Sequence, residues 1–488
     1  MVDKDLLSIQ EARSLVRAAR KAQVQYAQLG QAGVDAVVKA ISEATLPYAE
    51  ELGRLANEET GFGKPQDKKI KNILASQGVY DYIKDMKTVG ILREDKERKI
   101  IEIAVPVGVI AGVIPSTNPT STVIFKSLIA LKAGNAIVFT PHPAAKKCIG
   151  RTVEIIKGAL AKCGVSEDLV SYISIPTLEG TNELMKICDL ILATGGPGMV
   201  KAAYSSGTPA LGVGAGNVPA YIERSANIQD AVAKIFASKT FDNGTICSSE
   251  QSIVTEAIIA PQVRQAVIDQ GGFFLEGENL AKVKAIMERG NGSMNPAIVG
   301  RDAQTVARIA GITIPDGTRL LLSDEPGVGP KYPFSKEKLT ALLGFYVVND
   351  WHEACELCTA LLENCGKGHS LSIHSNNEEV IREFGLKKPV SRILVNTPST
   401  QGGVGLSTGL APSFTLGCGA VGGSATSDNV TPMNLLNIRR VAYYLGGDVK
   451  PQYVNKPAAA PAASSTTSSG VDIEAIAAMI VAELKKNM

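Results

Sequence analysis

Three apolar stretches decide the fold class: NAIVFTP (135–141), VSYISIP (170–176) and LILATGG (190–196). They alternate with two segments of helical periodicity, CIGRTVEIIKGALAKCG (148–164) and TNELMKICD (181–189). Strands that alternate with helices form a parallel sheet, because each crossover helix packs on one face of the sheet and buries it. This part of the chain is therefore predicted to be an α/β domain.

The pattern extends outward in both directions. Upstream, the first ~100 residues are predicted to be mainly helical, and IIEIAVPVGVIAGVIP (100–115) to form strands with a turn at Pro106 and Gly108. Downstream of Tyr221, alternating helices and strands predict a second α/β unit. Its segments are a helix at 228–241, strands at 251–256, 343–350, 369–375 and 392–396, a glycine-rich stretch at 402–423, and a last ordered segment at 434–445.

Composition excludes several classes of function. The 488 residues carry 50 Lys and Arg against 48 Asp and Glu, and 45% of them are hydrophobic. A length of this order and this apolar content predict two or three domains with cores of their own. Near neutrality argues against nucleic-acid binding, which needs a basic face. No apolar run reaches the ~20 residues of a membrane span, and the N-terminal segment lacks a signal core. We therefore expect a cytoplasmic protein.

The eight cysteines are scattered through apolar and helical patterns, which is typical of a protein kept in a reducing compartment. Cys355 and Cys358 form a CxxC motif inside a segment with helical character, WHEACELCTALLENC (351–365). No second pair stands at a zinc-like spacing, so no metal site is expected.

The composition changes sharply after Tyr453. KPAAAPAASSTTSSG (456–470) is a low-complexity sequence that predicts a flexible linker. It precedes VDIEAIAAMIVAELKKNM (471–488), in which apolar residues fall on one helical stripe. A short amphipathic helix on a flexible linker is typical of a docking element. Self-association and an unstructured end are the alternatives.

Cys247 is the first candidate for chemistry. It lies in FDNGTICSSEQ (241–251), between a helix that Asn243-Gly244 interrupts and a strand. A thiol in a loop among small polar residues is accessible to a substrate, which favours a nucleophile. The alternative is a buried thiol in a structural loop.

Asn118 and a glycine turn are the next candidates. Asn118 follows a strand and precedes a helix in VIPSTNPTSTVIFKSLIALKAGN (113–135), so its amide could stabilise a developing oxyanion or merely cap the helix. LILATGGPGMVKAA (190–203) reads as strand, glycine turn and helix, an arrangement that binds dinucleotides. The spacing is not GxGxxG, and glycines in such turns often have only a steric role.

Taken together, these segments resemble the aldehyde dehydrogenase superfamily, and in particular its CoA-acylating branch, the acetaldehyde and propionaldehyde dehydrogenases. The resemblance covers roughly residues 5 to 450. It is carried by TGGPGMVKAAYSSGTPALGVGAGN (194–217), FDNGTICSSEQ (241–251), EKLTALLGFY (337–346), NCGKGHSLSIHS (364–375) and GGSATSDNVTPMNLLNIRR (422–440).

The resemblance implies roles for individual residues. Cys247 matches the nucleophile, and Asn118 with the Cys247 backbone N–H matches the oxyanion hole. Glu337 matches the glutamate that holds the nicotinamide ribose. The turn beside the cofactor is matched by Thr194, Gly195 and Gly196. The rest of the implied cofactor groove comprises Ile114, Pro115, Ser116, Thr140, Pro141, His142, Val213, Gly214 and Leu339.

Two positions depart from the hydrolytic relatives. Thr140 stands where they usually carry a lysine for the adenine ribose, which bears on NAD against NADP. We expect NAD. Val213 stands where they carry a glutamate that activates water, and a valine cannot accept a proton. The sequence therefore predicts a thioester that is passed to coenzyme A. The alternatives are a hydrolytic dehydrogenase that releases free acid and a non-catalytic microcompartment scaffold.

The resemblance also implies an architecture and partners. We expect an α/β fold of the aldehyde dehydrogenase type, with a Rossmann-type cofactor domain, an α/β catalytic domain and a small β oligomerisation element. The substrate would be acetaldehyde or propionaldehyde, and the chain would form a dimer or a dimer of dimers. Residues 471–488 resemble the peptides that direct enzymes into bacterial microcompartments, where we expect shell proteins as partners. The implied boundaries are 1–216 (cofactor domain, with a β-hairpin near 99–110), 217–425 (catalytic domain), 426–455 (C-terminal return), 456–470 (linker) and 471–488 (terminal helix).

Overall fold

A computed structural model of the chain describes residues 3–290 and 292–446. The predicted linker at 456–470 and terminal helix at 471–488 lie outside the described residues. The strands are β1 (Gly90–Asp95), β2 (Ile100–Pro106), β3 (Val109–Ile114), β4 (Ala136–Pro141), β5 (Val170–Tyr172), β6 (Leu190–Thr194), β7 (Ala210–Val213), β8 (Val218–Ile222), β9 (Glu250–Glu256), β10 (Gly272–Phe274), β11 (Leu320–Asp324), β12 (Leu342–Val348), β13 (Gly368–His374), β14 (Val390–Val395) and β15 (Leu436–Ala442).

The α-helices occupy the segments between these strands and fill most of the N-terminal region. They are α1 (Lys4–Tyr26), α2 (Gly30–Thr45), α3 (Ala49–Thr60), α4 (Pro65–Ile73), α5 (Val79–Ile83), α6 (Pro119–Lys132), α7 (Lys146–Lys162), α8 (Leu178–Ile187), α9 (Pro197–Tyr204), α10 (Ile228–Thr240), α11 (Ala260–Asp269), α12 (Gly277–Met287), α13 (Ala303–Ala310), α14 (Trp351–Asn364), α15 (Glu378–Lys387) and α16 (Ser399–Gly403). In the described part of the chain, no helix is long and apolar enough to cross a membrane.

The first sheet is parallel, with strand order β5-β4-β3-β6-β7. The central strand β3 and the following helix α6 are buried along their whole length, and burial on both faces explains why β3 reads as a continuous apolar run. Strands β4 and β5 lie on one side of β3, and the chain then crosses to the other side, where it forms β6 and β7. Such a reversal opens a crevice at the carboxyl ends of the strands, and ligands bind there in sheets of this kind.

The second sheet is also parallel and has seven strands, in the order β10-β11-β12-β9-β8-β13-β14. Its two faces pack into separate apolar clusters. The chain passes from the first sheet to the second between Val213, the last residue of β7, and Val218, the first residue of β8. Both predicted α/β units are therefore present, and each has its own parallel sheet.

A third, antiparallel sheet has the order β1-β2-β15. The hairpin was predicted near 99–110, but it lies earlier, because β2 turns back on β1 rather than on β3. The strand at 109–114 instead joins the parallel sheet. The error arose because β1, GILRED, is mostly exposed and lacks the apolar alternation that marks a half-buried strand.

Candidate active site

A cavity of about 480 Å³ lies at the carboxyl ends of β3, β4, β6 and β7, facing the loop that precedes β9. All of the residues predicted for the site line this one cavity. They are Ile114, Pro115, Ser116, Asn118, Thr140, Pro141, His142, Thr194, Gly195, Gly196, Val213, Gly214, Cys247, Glu337 and Leu339.

Cys247 reaches the cavity because the chain turns abruptly after α10. Asp242, Asn243 and Gly244 have φ angles of 47°, 52° and 75°, so three consecutive residues adopt the left-handed conformation. A helix cannot continue through such residues. The turn directs the next residues toward the first sheet, and Cys247 is partly exposed in the cavity wall.

The surroundings of Cys247 keep its thiol protonated. Burial raises the pKa of Cys247 to about 12, and the negative charge of Glu337 and the thiol of Cys418 add to the effect, while Arg392 opposes it. Only a thiolate is a strong nucleophile. The site therefore requires a group that removes the proton as the thiol reacts.

The Asn118 side chain does not cap helix α6, although the residue occupies the N-cap position. Its Nδ2 donates to the Thr245 carbonyl at 3.1 Å, and its Oδ1 accepts from Lys71 Nζ at 2.5 Å. The capping interpretation is thus wrong. The amide nitrogen faces the loop that carries Cys247, as an oxyanion donor would.

Glu337 is the only carboxylate among the described residues that line the cavity. Its Oε1 accepts from the Gly216 backbone N–H at 2.9 Å. Burial raises the pKa of Glu337 to about 7, although the Gly216 N–H, Lys239 and Lys338 counteract this rise. A carboxyl group with such a pKa can both accept and release a proton near neutral pH.

The other end of the cavity is formed by Thr194, Gly195 and Gly196, which connect β6 to α9. The Thr194 hydroxyl is buried and has no partner among the described residues. Gly196 is the N-cap of α9 and makes no side-chain cap, and a Cβ at Gly196 or Gly198 would meet open space. Pro197 has no N–H, and the Met199 N–H donates to the Gly196 carbonyl, so the Gly198 N–H and the Thr194 hydroxyl are the donors beside this open space that suit an anionic group such as a phosphate.

Val213 ends β7 beside Cys247 and is only 2% exposed. The segment that follows it carries Gly216, where a Cβ would lie 1.8 Å from the Cys247 carbonyl oxygen and 3.2 Å from His369 Cγ. Glycine is therefore required here, because any side chain would displace the loop of the nucleophile.

Several residues around the site escaped the sequence analysis. The His369 ring lies against Gly216, its Nε2 has no partner in the described part of the chain, and burial lowers its pKa to about 3. Lys68, Lys71 and Asp242 form a buried cluster behind Asn118. The sequence offers one indication that these lysines are buried. Lys68 and Lys71 lie on the same helix face as apolar residues of KKIKNILA, and residues on such a face are usually buried.

The CxxC cysteines lie elsewhere. Cys355 and Cys358 are buried in helix α14, and Cys355 Sγ contacts Lys388 Nζ at 2.7 Å. Among residues 3–290 and 292–446, no cluster of three or more His, Cys, Asp or Glu side chains could hold a metal ion.

Comparison with known proteins gives consistent matches. The sequence model of the aldehyde dehydrogenase family matches residues 6–321. The bifunctional aldehyde-alcohol dehydrogenase AdhE of Escherichia coli K12 is 44% identical over 442 residues, which are 89% of this chain and 50% of that protein. The chain thus spans about half the length of the first curated relatives it matches. The acetylating succinate-semialdehyde dehydrogenase of Clostridium kluyveri is 37% identical over 88% of this chain and 95% of its own length.

Solved structures match over nearly their full length. An acetylating aldehyde dehydrogenase from Geobacillus thermoglucosidasius has a TM-score of 0.90 and 50% identity, covering 92% of this chain and 100% of that one. The propionaldehyde dehydrogenase of a Clostridium phytofermentans fucose-utilisation microcompartment has a TM-score of 0.80 and 28% identity (88% and 97% covered). A Rhodopseudomonas palustris propionaldehyde dehydrogenase with bound propionyl-CoA has a TM-score of 0.80 and 28% identity (88% and 94% covered).

Proposed function

The chain belongs to the aldehyde dehydrogenase family, and on that premise we propose that it oxidises a short-chain aldehyde with NAD+ and transfers the acyl group from Cys247 to coenzyme A. One observation carries this proposal. The position beside the nucleophile that could hold a base for water holds Val213. A thioester without such a base hydrolyses slowly and persists until a thiol attacks it. The propionyl-CoA bound to the Rhodopseudomonas palustris relative supports the choice of thiol.

The first half-reaction begins with the thiol of Cys247, which attacks the aldehyde carbonyl to give a thiohemiacetal. The proton of the thiol passes to water as the C–S bond forms, because Glu337, the one carboxylate among the described cavity residues, is assigned to the nicotinamide ribose. The Asn118 Nδ2 group, together with the Cys247 backbone N–H, stabilises the oxyanion that forms. Collapse of that oxyanion leaves an acyl thioester on Cys247.

The residues at the far end of the cavity fit a dinucleotide. NAD+ would accept the hydride that leaves the aldehyde carbon. The Gly198 N–H at the start of α9 and the buried Thr194 hydroxyl would hold its phosphates, and Glu337 its nicotinamide ribose.

NAD+ is favoured over NADP+ at the adenine end of the same cavity. The Thr140 hydroxyl pairs with Thr181 Oγ1 at 2.7 Å, and no described Lys or Arg lines the cavity. His142 Nδ1 accepts from the Ala144 N–H, and burial lowers the pKa of His142, so the ring is uncharged at neutral pH. A 2′-phosphate would find no cationic partner there, and such partners are what accommodate NADP.

The aldehyde chain would occupy an apolar corner beside Cys247. Ile246, Val404 and Leu416 are buried there, with Phe414 partly buried against them. The described residues of this corner carry no charged group, so it suits a short alkyl chain.

The second half-reaction transfers the acyl group. CoA attacks the Cys247 thioester, the same Asn118 amide stabilises the second tetrahedral oxyanion, and the Cys247 thiol is regenerated. One thioester replaces another of similar energy, so the overall reaction is reversible.

NADH formation from propionaldehyde, followed with and without CoA, tests the proposal. Without CoA we expect a burst of about one NADH per active site and then little turnover, because deacylation lacks its base. With CoA we expect sustained NADH formation and propionyl-CoA as product. Sustained NADH with free acid and no CoA would instead establish the hydrolytic alternative, and no NADH in either condition would favour a scaffold.

Assembly belongs to the same proposal. Strand β15 is one of the two exposed edges of the β1-β2-β15 sheet, and Tyr443 and Tyr444 beyond it are 56% and 80% exposed. An open edge flanked by exposed aromatic rings favours pairing with a second copy, so we propose a dimer or a dimer of dimers. Light scattering of the full chain and of a variant with Tyr443 and Tyr444 changed to Ser tests it. If the variant had the same mass in solution as the full chain, the proposed role of this edge in assembly would be contradicted.

The segment at 471–488 is proposed to bind shell proteins of a microcompartment. Its amphipathic pattern supports this, as does the similarity to a relative from a fucose-utilisation microcompartment. A fluorescent protein fused to 456–488 should become punctate in cells that assemble shells. The matched control changes Ile476 and Ile480 to Asp, which removes the apolar stripe. A diffuse parent fusion would contradict the targeting role.

A further inference from the structure

A cluster of buried charges lies behind the wall of the cavity that carries Asn118. Lys68 and Lys71 stand one turn apart on helix α4, and each is 3% exposed. Both ammonium groups bind the same oxygen of Asp242, which is fully buried in the turn after α10. None of these three residues lines the cavity, so they act on the chemistry only through the residues they contact.

The two lysines share their counter-ion but differ in their second contact. Lys71 Nζ lies 2.5 Å from Asn118 Oδ1 and 3.3 Å from Thr245 Oγ1. Lys68 Nζ lies 2.9 Å from the Thr117 carbonyl and does not touch the amide. Only Lys71 therefore contacts the side chain that would hold the oxyanion.

We propose that Lys71 is a positioning residue of the oxyanion hole, which fixes the orientation of the Asn118 amide and strengthens its N–H as a donor. This inference rests on the proposed function. An ammonium group only donates hydrogen bonds, so the amide turns its oxygen toward Lys71 and its nitrogen toward the Thr245 carbonyl, in the loop that carries Cys247, and toward Thr117 Oγ1. A charge-assisted bond to the oxygen also withdraws electrons from the amide nitrogen.

Asp242 extends this control to the loop of the nucleophile. The same carboxylate accepts from Thr245 Oγ1 at 2.8 Å and from the Lys64 backbone N–H at 2.6 Å. Gly63 leaves the space it needs, because a Cβ there would lie 1.8 Å from Asp242 Oδ1. Asp242 thus connects α4 to the loop that carries Cys247.

The charge state of Lys71 agrees with this role. Burial lowers the pKa of Lys71 to about 8; Asp242 and Asp67 oppose this fall, and Lys68 adds to it. The ammonium form therefore still predominates at neutral pH, where it has its counter-ion in Asp242.

A double-mutant cycle on the full-length chain tests the inference. The readout is the rate constant of the NADH burst at saturating NAD+ and propionaldehyde without CoA. We expect Asn118→Ala to slow the burst about 100- to 1,000-fold and Lys71→Met about 10- to 100-fold. Because Lys71 acts through Asn118, the double variant should be no slower than Asn118→Ala, within about threefold. The affinity for NAD+ should be unchanged.

Lys68→Met is the matched control. Like Lys71→Met, it removes one ammonium partner of Asp242, but it leaves the contact between Lys71 and the Asn118 side chain in place. It should lower the melting temperature as Lys71→Met does but slow the burst less than about threefold. If Lys71→Met does not fold, Lys71→Gln, which keeps an uncharged donor, takes its place in the cycle. If Lys68→Met and Lys71→Met slow the burst equally, or if the effects of Lys71→Met and Asn118→Ala multiply in the double variant, the positioning role of Lys71 is overturned. The proposed function would still stand. A wild type without an NADH burst would overturn the proposed function together with it.

Discussion

The two walls that flank the Cys247 thiol differ in chemistry. The oxyanion wall consists of Asn118 with Lys71 and Asp242 behind it, and its contacts are short hydrogen bonds between buried polar groups. The glycine wall consists of residues 213–216, which present Val213, two glycines and an alanine and carry no titratable side chain.

An aldehyde dehydrogenase can both form an acyl-enzyme and hydrolyse it, and the two walls bear on these two steps separately. In the proposed mechanism, the oxyanion wall stabilises negative charge on a tetrahedral intermediate in both half-reactions. The glycine wall offers nothing that could remove a proton from water. A site with the first property but not the second makes an acyl-enzyme readily and hydrolyses it slowly, which suits transfer to a thiol.

The largest loss of activity should follow from removal of the Cys247 thiol, which lies between the two walls. Cys247→Ala should lower NADH formation by about 10⁴-fold or more, because no other nucleophile takes its place. NAD+ binding, followed by quenching of protein fluorescence, should remain. Cys358→Ala, at a buried thiol in α14, is the control and should retain most activity. Substantial turnover by Cys247→Ala would contradict the assignment of the nucleophile.

The oxyanion wall is tested by Asn118→Ala, which should slow acyl transfer as well as oxidation. We expect a fall of about 100-fold or more in the rate at which the isolated propionyl-enzyme reacts with CoA, because the second intermediate needs the same donor. Rapid-quench measurement of propionyl-CoA gives this rate directly. A normal acyl-transfer rate alongside slow oxidation would show that the wall serves only one half-reaction.

The protonation of the thiol gives a pH dependence that follows from its burial. With a pKa raised to about 12, the thiolate fraction of Cys247 should grow tenfold for each pH unit from 7 to 9.5. Inactivation of the free protein by iodoacetamide should therefore accelerate about 100-fold between pH 7 and 9, without levelling. Glutathione, as the reference thiol, should level off near pH 9. A plateau below pH 8 for Cys247 would show that its thiolate is stabilised instead.

The smallest effect is expected from giving the glycine wall the base it lacks. Val213→Glu should raise the release of propionate without CoA about tenfold, since a carboxylate in a semi-apolar site has a raised pKa suited to a base. Val213→Gln has nearly the same shape but no base and is the matched control. Propionate is measured by chromatography, and CoA-dependent activity shows that each variant is folded. Equal acid release from the two variants would contradict the role assigned to position 213.

Much of the site could be predicted because its signals are local. The turn at Asn243-Gly244, the strand before Asn118 and the glycines after β6 each lie within a few residues of the feature they specify. The residues predicted from them line one cavity. The hairpin of β1 and β2 was misplaced because the exposed strand GILRED carries no periodic pattern to identify it. The contact between Lys71 and Asn118 was missed for another reason: spacing can predict that a lysine is buried but not which group it contacts.

The alternation of strands and helices, the loop position of Cys247 and the lack of a carboxylate at position 213 follow from the order of the residues. The direction of the Asn118 amide, its contact with Lys71 and the rise of the Glu337 pKa to about 7 on burial depend on the folded chain. The reason is distance along the chain. The contacts that set these properties join residues 47, 121, 127 and 171 positions apart. Periodicity is a property of neighbouring residues, whereas burial, hydrogen-bond partners and pKa depend on whatever the fold brings against them.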